Sequence, residues 1–277
     1  YARDLGLLPR QISQICASHG GTDMHAEAVR GIQAKIGVDE SFLQCGSHLP
    51  LDKESSETLI RRGEQPTPIR HNCSGKHTGM LAFAKARGLP LDNYLEPAHP
   101  IQQDILKTFS EMCQISIDKI GIGTDGCSAP NFSIPLYNTA LGFARLCDPQ
   151  ELPEKRADAC KTITSSMMAH PEMVSGFGRF DTRLMQVGRG KLVAKTGAEG
   201  YQAVGILPDL TEASPKGVGI ALKISDGDAT GRVREAVMIE ILRQFGILNN
   251  TELAELSEFG PINEIFNWRK IKVGESR

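Results

Sequence analysis

The length, composition and charge of the chain indicate a globular protein with room for a sizeable core. Its 277 residues are 40% hydrophobic and 23% charged, with a formal net charge of −2. No basic run stands out, so nothing in the charge pattern favours binding to nucleic acid or to an anionic membrane. The apolar runs are also far shorter than the roughly 20 residues of a membrane-spanning helix, and we predict neither kind of partner.

The first two-thirds of the chain is predicted to be helices joined by Gly/Pro turns. Val29, Ile32 and Ile36 fall on one helical face, and Gly37 is placed to end that helix. Pro100 is suited to the first position of a second helix. The apolar stripe predicted for this second helix is Ile101, Ile105, Phe109 and Met112. Two further helices are predicted around Leu136, Ala140 and Phe143 and around Cys160, Ile163 and Met167.

Beyond Gly176 the pattern changes to one typical of strands. Strands are predicted over 192–195 and 203–207, and a half-buried third over 218–224, where Val218 and Ile220 alternate with smaller or polar residues. Asp228 is predicted to cap a helix that Gly246 ends, and 268–273 is predicted to be a last strand. We therefore expect an α+β (mixed α/β) protein, with a mainly helical part over 1–172 and an antiparallel sheet flanked by helices over 173–277.

The cysteines indicate a reducing compartment. There are seven of them, an odd number that cannot pair completely within one chain, and no CxxC occurs. No charged-then-apolar secretion signal opens the sequence. We therefore predict a cytoplasmic protein with free thiols, some of which could be metal ligands.

One glycine motif matches a known binding pattern in its letters but not in the residues around it. Residues 121–126 spell GxGxxG, but only a short apolar stub precedes them. Pro130 and Pro135 follow where the phosphate-binding helix of a dinucleotide site would run. We therefore predict no dinucleotide binding.

Four short segments are dense in glycine and reactive side chains. They are CASHGG (16–21), HNCSGKHTG (71–79), TDGCSAPN (124–131) and KTGAEG (195–200). Lys-Thr-Gly at a strand end is a known active-site device, because the strand edge offers backbone N–H groups to an acyl oxygen and the lysine places positive charge near a serine hydroxyl. By itself the three-letter motif is weak, since an exposed turn can have the same spelling.

Cys73 and Cys127 could share a metal ion. Thiolates are soft ligands suited to zinc, although two cysteines far apart in sequence are more often small buried apolar residues. Lys76 would be an unusual third ligand because it must be neutral to bind. By chemistry alone, His71 and His77 are the more conventional alternatives.

Taken together and in this order, ASHGG, HNCSGKHTGM, GTDGCSAPNF, GRFDT and KTGAEG resemble the asparaginase II family across nearly the whole chain. The resemblance implies a serine-β-lactamase-like fold, hydrolysis of L-asparagine to L-aspartate and ammonia, and a homodimer. It also implies two Ser–Lys pairs and a zinc ion (Zn2+) held by two cysteines and one lysine.

The resemblance assigns roles to particular residues. Ser18 matches the second catalytic serine and Lys195 matches its lysine partner. The zinc ligands that the resemblance implies are Cys73, Lys76 and Cys127. They replace the histidines that chemistry alone would favour. His77 and Asp125, which flank those ligands, and Thr196 are predicted substrate contacts.

The first Ser–Lys pair of the family lies in an SxxK motif upstream of ASH. The only such spelling here, Ser116-Ile117-Asp118-Lys119, is in the wrong place, and Ser116 is better explained as a turn or cap residue. The family's SxxK helix and N-terminal strands would therefore precede Tyr1. Two alternatives stay open from the sequence: a penicillin-recognising or other acyl-transfer hydrolase on the same fold, and an inactive zinc-binding fragment.

Overall fold

The protein folds into two compact units of mixed secondary structure. The computed structural model describes residues 1–210, 215–229 and 231–276. Unit 1 comprises Tyr1–Ile134 and Thr162–Phe177, and unit 2 comprises Pro135–Lys161 and Gly178–Arg277. The described residues contain eleven α-helices and three small antiparallel sheets, which confirms the predicted α+β class. The division into parts at residue 172 stays a prediction.

Nine of the eleven α-helices of the described residues precede the three-stranded sheet along the chain, and the other two follow it. The α-helices are α1 (Pro9–Ile15), α2 (Asp23–Ile36), α3 (Lys53–Arg62), α4 (Ser74–Ala86), α5 (Pro100–Cys113), α6 (Leu136–Cys147), α7 (Glu154–Ala169), α8 (Pro171–Val174), α9 (Phe180–Gly188), α10 (Arg232–Gln244) and α11 (Asn250–Glu255). The strands are β1 (Gly121–Thr124), β2 (Pro130–Ser133), β3 (Leu192–Thr196), β4 (Tyr201–Ile206), β5 (Val218–Lys223), β6 (Asn263–Phe266) and β7 (Lys272–Ser276). Short 3-10 helices lie at Glu40–Phe42, Pro68–Arg70, Ile117–Lys119 and Pro149–Glu151.

In unit 1, helix α2 has the buried face and the end that its sequence predicts. Val29 and Ile32 are fully buried and Ile36 nearly so. Gly37 follows in the left-handed conformation that ends many helices. The apolar periodicity and the glycine thus place this helix correctly from sequence alone.

Helices α1 and α4 of unit 1 approach each other closely along a glycine-lined contact. A Cβ atom added at Gly75 would overlap the backbone carbonyl of Gln14, and one added at Gly79 would lie 2.5 Å from a methyl group of Ile15. Gly75 and Gly79 are four residues apart, so they lie on the same face of α4. This contact sets the separation between the end of α1 and the start of α4.

The buried stripe of α5 differs from the predicted one. Ile101 is fully buried as expected, but the next buried apolar residues are Leu106 and Cys113. The predicted Phe109 is only half-buried and packs on Phe132 of β2, with ring centroids 4.7 Å apart. Ile105 is partly buried and packs against the core cluster that includes Leu81 and Tyr94, so the stripe is displaced along the helix and not absent.

Strands β1 and β2 form an antiparallel hairpin that the sequence did not predict. The GxGxxG spelling lies on β1 and in the hairpin loop, where Asp125 N–H donates to the carbonyl of Ala129 at 2.8 Å. These residues form a hairpin and not the strand–turn–helix of a dinucleotide-binding motif. Ser116 precedes the 3-10 helix Ile117–Lys119 as its N-cap residue, as predicted.

Unit 2 is built on the sheet β3–β4–β5, in which both strand pairs are antiparallel. Gly205 of β4 and Gly219 of β5 lie directly opposite each other. A Cβ atom on Gly219 would overlap the carbonyl oxygen of Ala140 on α6. The small residues of β5, predicted to form the open face of a half-buried strand, are therefore covered by α6.

The C-terminal elements agree with the sequence in part. The Asp228 carboxylate accepts from Arg234 N–H at 2.9 Å, so Asp228 caps α10 as predicted. The last strand begins at Lys272 and not at Trp268, which lies fully exposed in the turn after β6. This strand pairs with β6, which was not predicted.

Two further features bear on the expectations above. All seven cysteines are free thiols. None of the helices within the described ranges is both long enough and apolar enough to cross a membrane.

Candidate active site and metal centre

Ser18 lies in the loop that follows α1, and unit 1 holds it at both backbone and side chain. Its N–H donates to the carbonyl of Val174 at 2.9 Å. Its Oγ accepts a hydrogen bond from Asn72 Nδ2 at 3.0 Å, and Asn72 Oδ1 lies 3.0 Å from His48 Nε2. The half-buried serine therefore has its hydroxyl oriented by an amide that is itself held by a histidine.

The next residue, His19, anchors this loop to α4. The ring is fully buried. Its Nδ1 accepts from Gly21 N–H at 3.1 Å, and its Nε2 lies 3.0 Å from Ser74 Oγ. Because Ser74 donates its own proton to the carbonyl of Ile69 at 2.8 Å, the network assigns His19 the neutral form with the proton on Nε2. His19 is thus a structural support for the serine loop.

A cluster of metal-donor side chains lies where α4 begins. Cys73 is the N-cap residue of α4, and Asp125 and Cys127 come from the β1–β2 loop. One donor atom from each of these three residues lies within 4.8 Å of the other two. Among the described residues, no other group of three histidine, cysteine or acidic side chains converges in this way, and His71 and His77 are not members of it.

Lys76 also reaches this cluster, one helical turn after Cys73. Its Nζ donates to Asp125 Oδ2 at 3.1 Å. Burial lowers the pKa of Lys76, but the Cys73 and Cys127 sulfurs and the Asp125 carboxylate more than offset this and raise it. Without a metal ion the ammonium therefore neutralises the acidic groups around it, and binding a metal would require that it lose a proton.

The interaction between the two cysteines shifts their pKa values in opposite directions. The hydrogen bond between the two sulfurs lowers the pKa of Cys127 against the opposing effect of burial, and it raises the pKa of Cys73. Two neighbouring cysteine sulfurs, one of them with a lowered pKa, are a donor pair that suits zinc. The chemistry of the cluster therefore fits a metal site.

Two histidines border the cluster in different ways. His71 Nδ1 accepts from the backbone N–H of Cys73 at 3.0 Å, and burial lowers the pKa of His71 to about 4. His77 is fully buried, and its Nδ1 is 2.7 Å from the Tyr94 hydroxyl. The Nε2 of His77 has no hydrogen-bond partner of standard geometry, but the ring lies close enough to Cys127 to lower the pKa of that thiol. Both rings thus support the sulfur-bearing loops.

Lys195 and Thr196 lie at the end of β3 in unit 2. Lys195 Nζ donates to the carbonyl oxygen of Thr196 at 2.7 Å. Thr196 is bound in turn by the carboxylate of Asp181, which accepts from its backbone N–H at 2.7 Å and from its hydroxyl at 2.8 Å. Sequence reasoning missed Asp181, although it lies in the GRFDT segment that carried part of the family resemblance.

Of the eight predicted site residues, six lie in unit 1, where five of them form one cluster, and the other two lie in unit 2. The five are Cys73, Lys76, His77, Asp125 and Cys127, to which Ser18 is joined through Asn72. Asn72 and His48 were not predicted, because nothing in the letters marks an asparagine as the partner of a serine 54 positions away.

Comparison with known proteins agrees with this arrangement. A model of the L-asparaginase II family matches residues 1–277, the whole chain. A search of curated proteins finds no match. The match over the whole chain shows that the protein belongs to the L-asparaginase II family of amidohydrolases and is an enzyme that acts on a linear amide.

Proposed function

We propose that this enzyme hydrolyses L-asparagine to L-aspartate and ammonia by serine–lysine covalent catalysis beside a zinc site. The observation that carries the proposal is the adjacency of Asn72 and Cys73. Asn72 orients the Ser18 hydroxyl at 3.0 Å, and the next residue supplies a sulfur of the metal-donor cluster. One segment of the chain therefore links the candidate serine to the candidate metal centre.

The proposed reaction is a double displacement. A serine hydroxyl attacks the carbon of the side-chain amide while a lysine amine accepts its proton, and backbone N–H groups bind the developing oxyanion. The C–N bond then breaks, ammonia leaves with a proton from the lysine, and water hydrolyses the resulting ester. Ser18 and Lys195 act either as the nucleophile and base or as the proton relay for a serine of the SxxK type.

The metal part of the proposal rests on the donor set. Cys73, Lys76 and Cys127 would hold zinc. The Asp125 carboxylate, which accepts from Lys76 at 3.1 Å, would lie beside these ligands. Bound zinc supplies a Lewis-acid site that can orient a small substrate. His77, Asp125 and Thr196 stay proposed substrate contacts.

Ammonia release from L-asparagine and L-glutamine by the purified enzyme tests the substrate and the residues together. Ser18→Ala and Lys195→Ala should each lower kcat for L-asparagine at least about 1,000-fold, since each removes a group that makes or breaks bonds. Ser165→Ala, at an exposed serine of α7, is the matched control and should keep its activity. A fully active Ser18→Ala enzyme would exclude an essential role for this hydroxyl.

Metal analysis of the purified protein tests the zinc site. We expect close to one zinc per chain, lost in Cys127→Ser because the oxygen is a poorer ligand than the thiolate. Cys113→Ser, at another buried cysteine of unit 1, should keep the metal. Equal zinc content in the two variants would refute the assignment.

We also propose that the enzyme is cytoplasmic, which the absence of disulfide bonds supports, and that it is a homodimer, which the family relationship supports. Light scattering of the purified protein should then give twice the mass of one chain. A monomer that is fully active would refute the dimer as the functional form.

A further inference from the structure

Asp181 is a buried carboxylate for which the proposed reaction gives no role. It lies in the first turn of α9, and only 1% of its surface is exposed. Burying a carboxylate is costly unless hydrogen-bond donors replace the water it loses. The donors that surround Asp181 therefore indicate what this residue holds in place.

Two of those donors belong to Thr196, at the end of the strand that carries Lys195, and the third belongs to Gln202 on the neighbouring strand β4. Asp181 Oδ2 accepts from Thr196 N–H at 2.7 Å, and Oδ1 accepts from Thr196 Oγ1 at 2.8 Å and from Gln202 Nε2 at 2.9 Å. Thr196 and Gln202 are directly opposite in the pairing of β3 with β4. The carboxylate thus fixes a cross-strand pair at the last position of β3.

Two hydrogen bonds connect this cross-strand pair to Lys195. The N–H group that donates to Asp181 belongs to the peptide bond between Lys195 and Thr196. This hydrogen bond therefore fixes the orientation of the peptide group that follows Lys195. The ammonium group of Lys195 donates to the carbonyl oxygen of Thr196 at 2.7 Å. Both the backbone next to Lys195 and its ammonium group are therefore held in position relative to Thr196.

We propose that Asp181 is a positioning residue for amide hydrolysis, which holds Thr196 and thereby places the Lys195 amine. This inference rests on the proposed role of Lys195. A displacement of a catalytic group by about 1 Å can cost about 100-fold in rate, so loss of this support should appear in turnover. A carboxylate that only fastened α9 to the sheet would instead affect stability.

Asp181→Asn in the full chain tests the proposal. The amide keeps the size of the side chain but has one acceptor oxygen, so its NH2 group must face either the Thr196 N–H or the Gln202 NH2. The matched control is Glu252→Gln, the same chemical change at a carboxylate that is 5% exposed and accepts from Lys191, the residue before β3. The assay is kcat and KM for ammonia release from L-asparagine, per folded enzyme and well below the melting temperature.

We expect Asp181→Asn to lower kcat by about 10- to 100-fold with KM within about threefold of the wild type. Glu252→Gln should keep kcat within about twofold, because it is remote from the end of β3 that carries Lys195. A folded Asp181→Asn enzyme with wild-type kcat, or an equal loss in Glu252→Gln, would overturn the proposal.

Two further variants keep the outcomes distinct. If Asp181→Asn does not fold, Gln202→Met removes one of the three donors with little change in volume, and it should lower kcat by a smaller factor; unchanged kcat would overturn the inference. Lys195→Ala is measured in parallel. If it is inactive while Asp181→Asn is normal, only the inference about Asp181 fails. If Lys195→Ala is itself active, the proposed function of Lys195 fails as well.

Discussion

The contact between α1 and α4 gives a quantitative test of how the serine loop is placed. In Gly75→Ala the new Cβ would overlap the carbonyl oxygen of Gln14 and lie 2.9 Å from its carbonyl carbon, whereas ordinary van der Waals contact begins at 3.4 Å. The clash is with backbone, so the helices must separate. Overpacking of this kind costs about 1–3 kcal/mol, and the better helix propensity of alanine returns at most about 1 kcal/mol.

We therefore expect Gly75→Ala to lose about 2 kcal/mol of unfolding free energy, a value near the upper end of the overpacking range less the helix gain. For a chain of this size the loss corresponds to a fall in Tm of about 4–8 °C. Turnover of L-asparagine should fall too, because α1 leads into Ser18 and α4 follows Asn72.

Gly31→Ala is the matched control, in the interior of α2 in the same unit. Its Cβ would meet only the end of the Gln11 side chain, at 3.0 Å. The substitution should leave stability unchanged or raise it by up to about 1 kcal/mol. Urea unfolding followed by circular dichroism measures both variants. A Gly75→Ala protein as stable as Gly31→Ala would refute the close approach of the two helices.

Three further predictions concern single side chains. Asn72→Ala removes the donor to Ser18 Oγ and should lower kcat about tenfold or more without unfolding the protein, as measured by ammonia release. Burial raises the pKa of Glu252, but the hydrogen bonds from Lys191 and from the Asn249 backbone, together with the charges of Lys191 and Arg189, more than offset it, so the pKa is lowered. The ionised form of Glu252 therefore stabilises the fold at neutral pH, and this contribution is lost as pH falls through the folded-state pKa. In urea titrations the stability gap between wild type and Glu252→Gln should thus narrow below about pH 4.5; a constant gap would contradict this. Asp52→Ala removes the N-cap of α3 and should cost about 1 kcal/mol in the same titrations, and no loss would argue against the cap.

The parts of the fold that depend on local signals could be predicted from the sequence. Gly37 and Pro100 mark a helix end and a helix start because their backbone preferences act without help from the rest of the chain. The alternation after Val218 likewise predicted β5. The β1–β2 hairpin could not be predicted in this way, since Gly121 and Gly123 have no side chains to show a strand pattern.

The candidate site also has residues that the sequence predicts and residues that it does not predict. Cys73 and Cys127 could be anticipated from their residue type, but Lys76 could not, because chemistry alone favours histidine ligands and the lysine came from the family resemblance. Asn72 and Asp181 could not, because an amide or a carboxylate becomes significant only through what it touches: Ser18 Oγ for the first and Thr196 for the second. Such contacts are made between elements that are distant in the sequence.

The start of α4 has a consequence for how sequences of this family can change. Four side chains of the candidate site lie within less than two helical turns here. Asn72 donates to Ser18, Cys73 and Lys76 take part in the metal-donor cluster, and His77 borders Cys127. Successive residues of a helix are rotated by about 100°. A single inserted residue after Cys73 would therefore turn Lys76 and His77 away from the cluster at once. An insertion in this stretch should therefore be more damaging than a single substitution, because it displaces several of these side chains together.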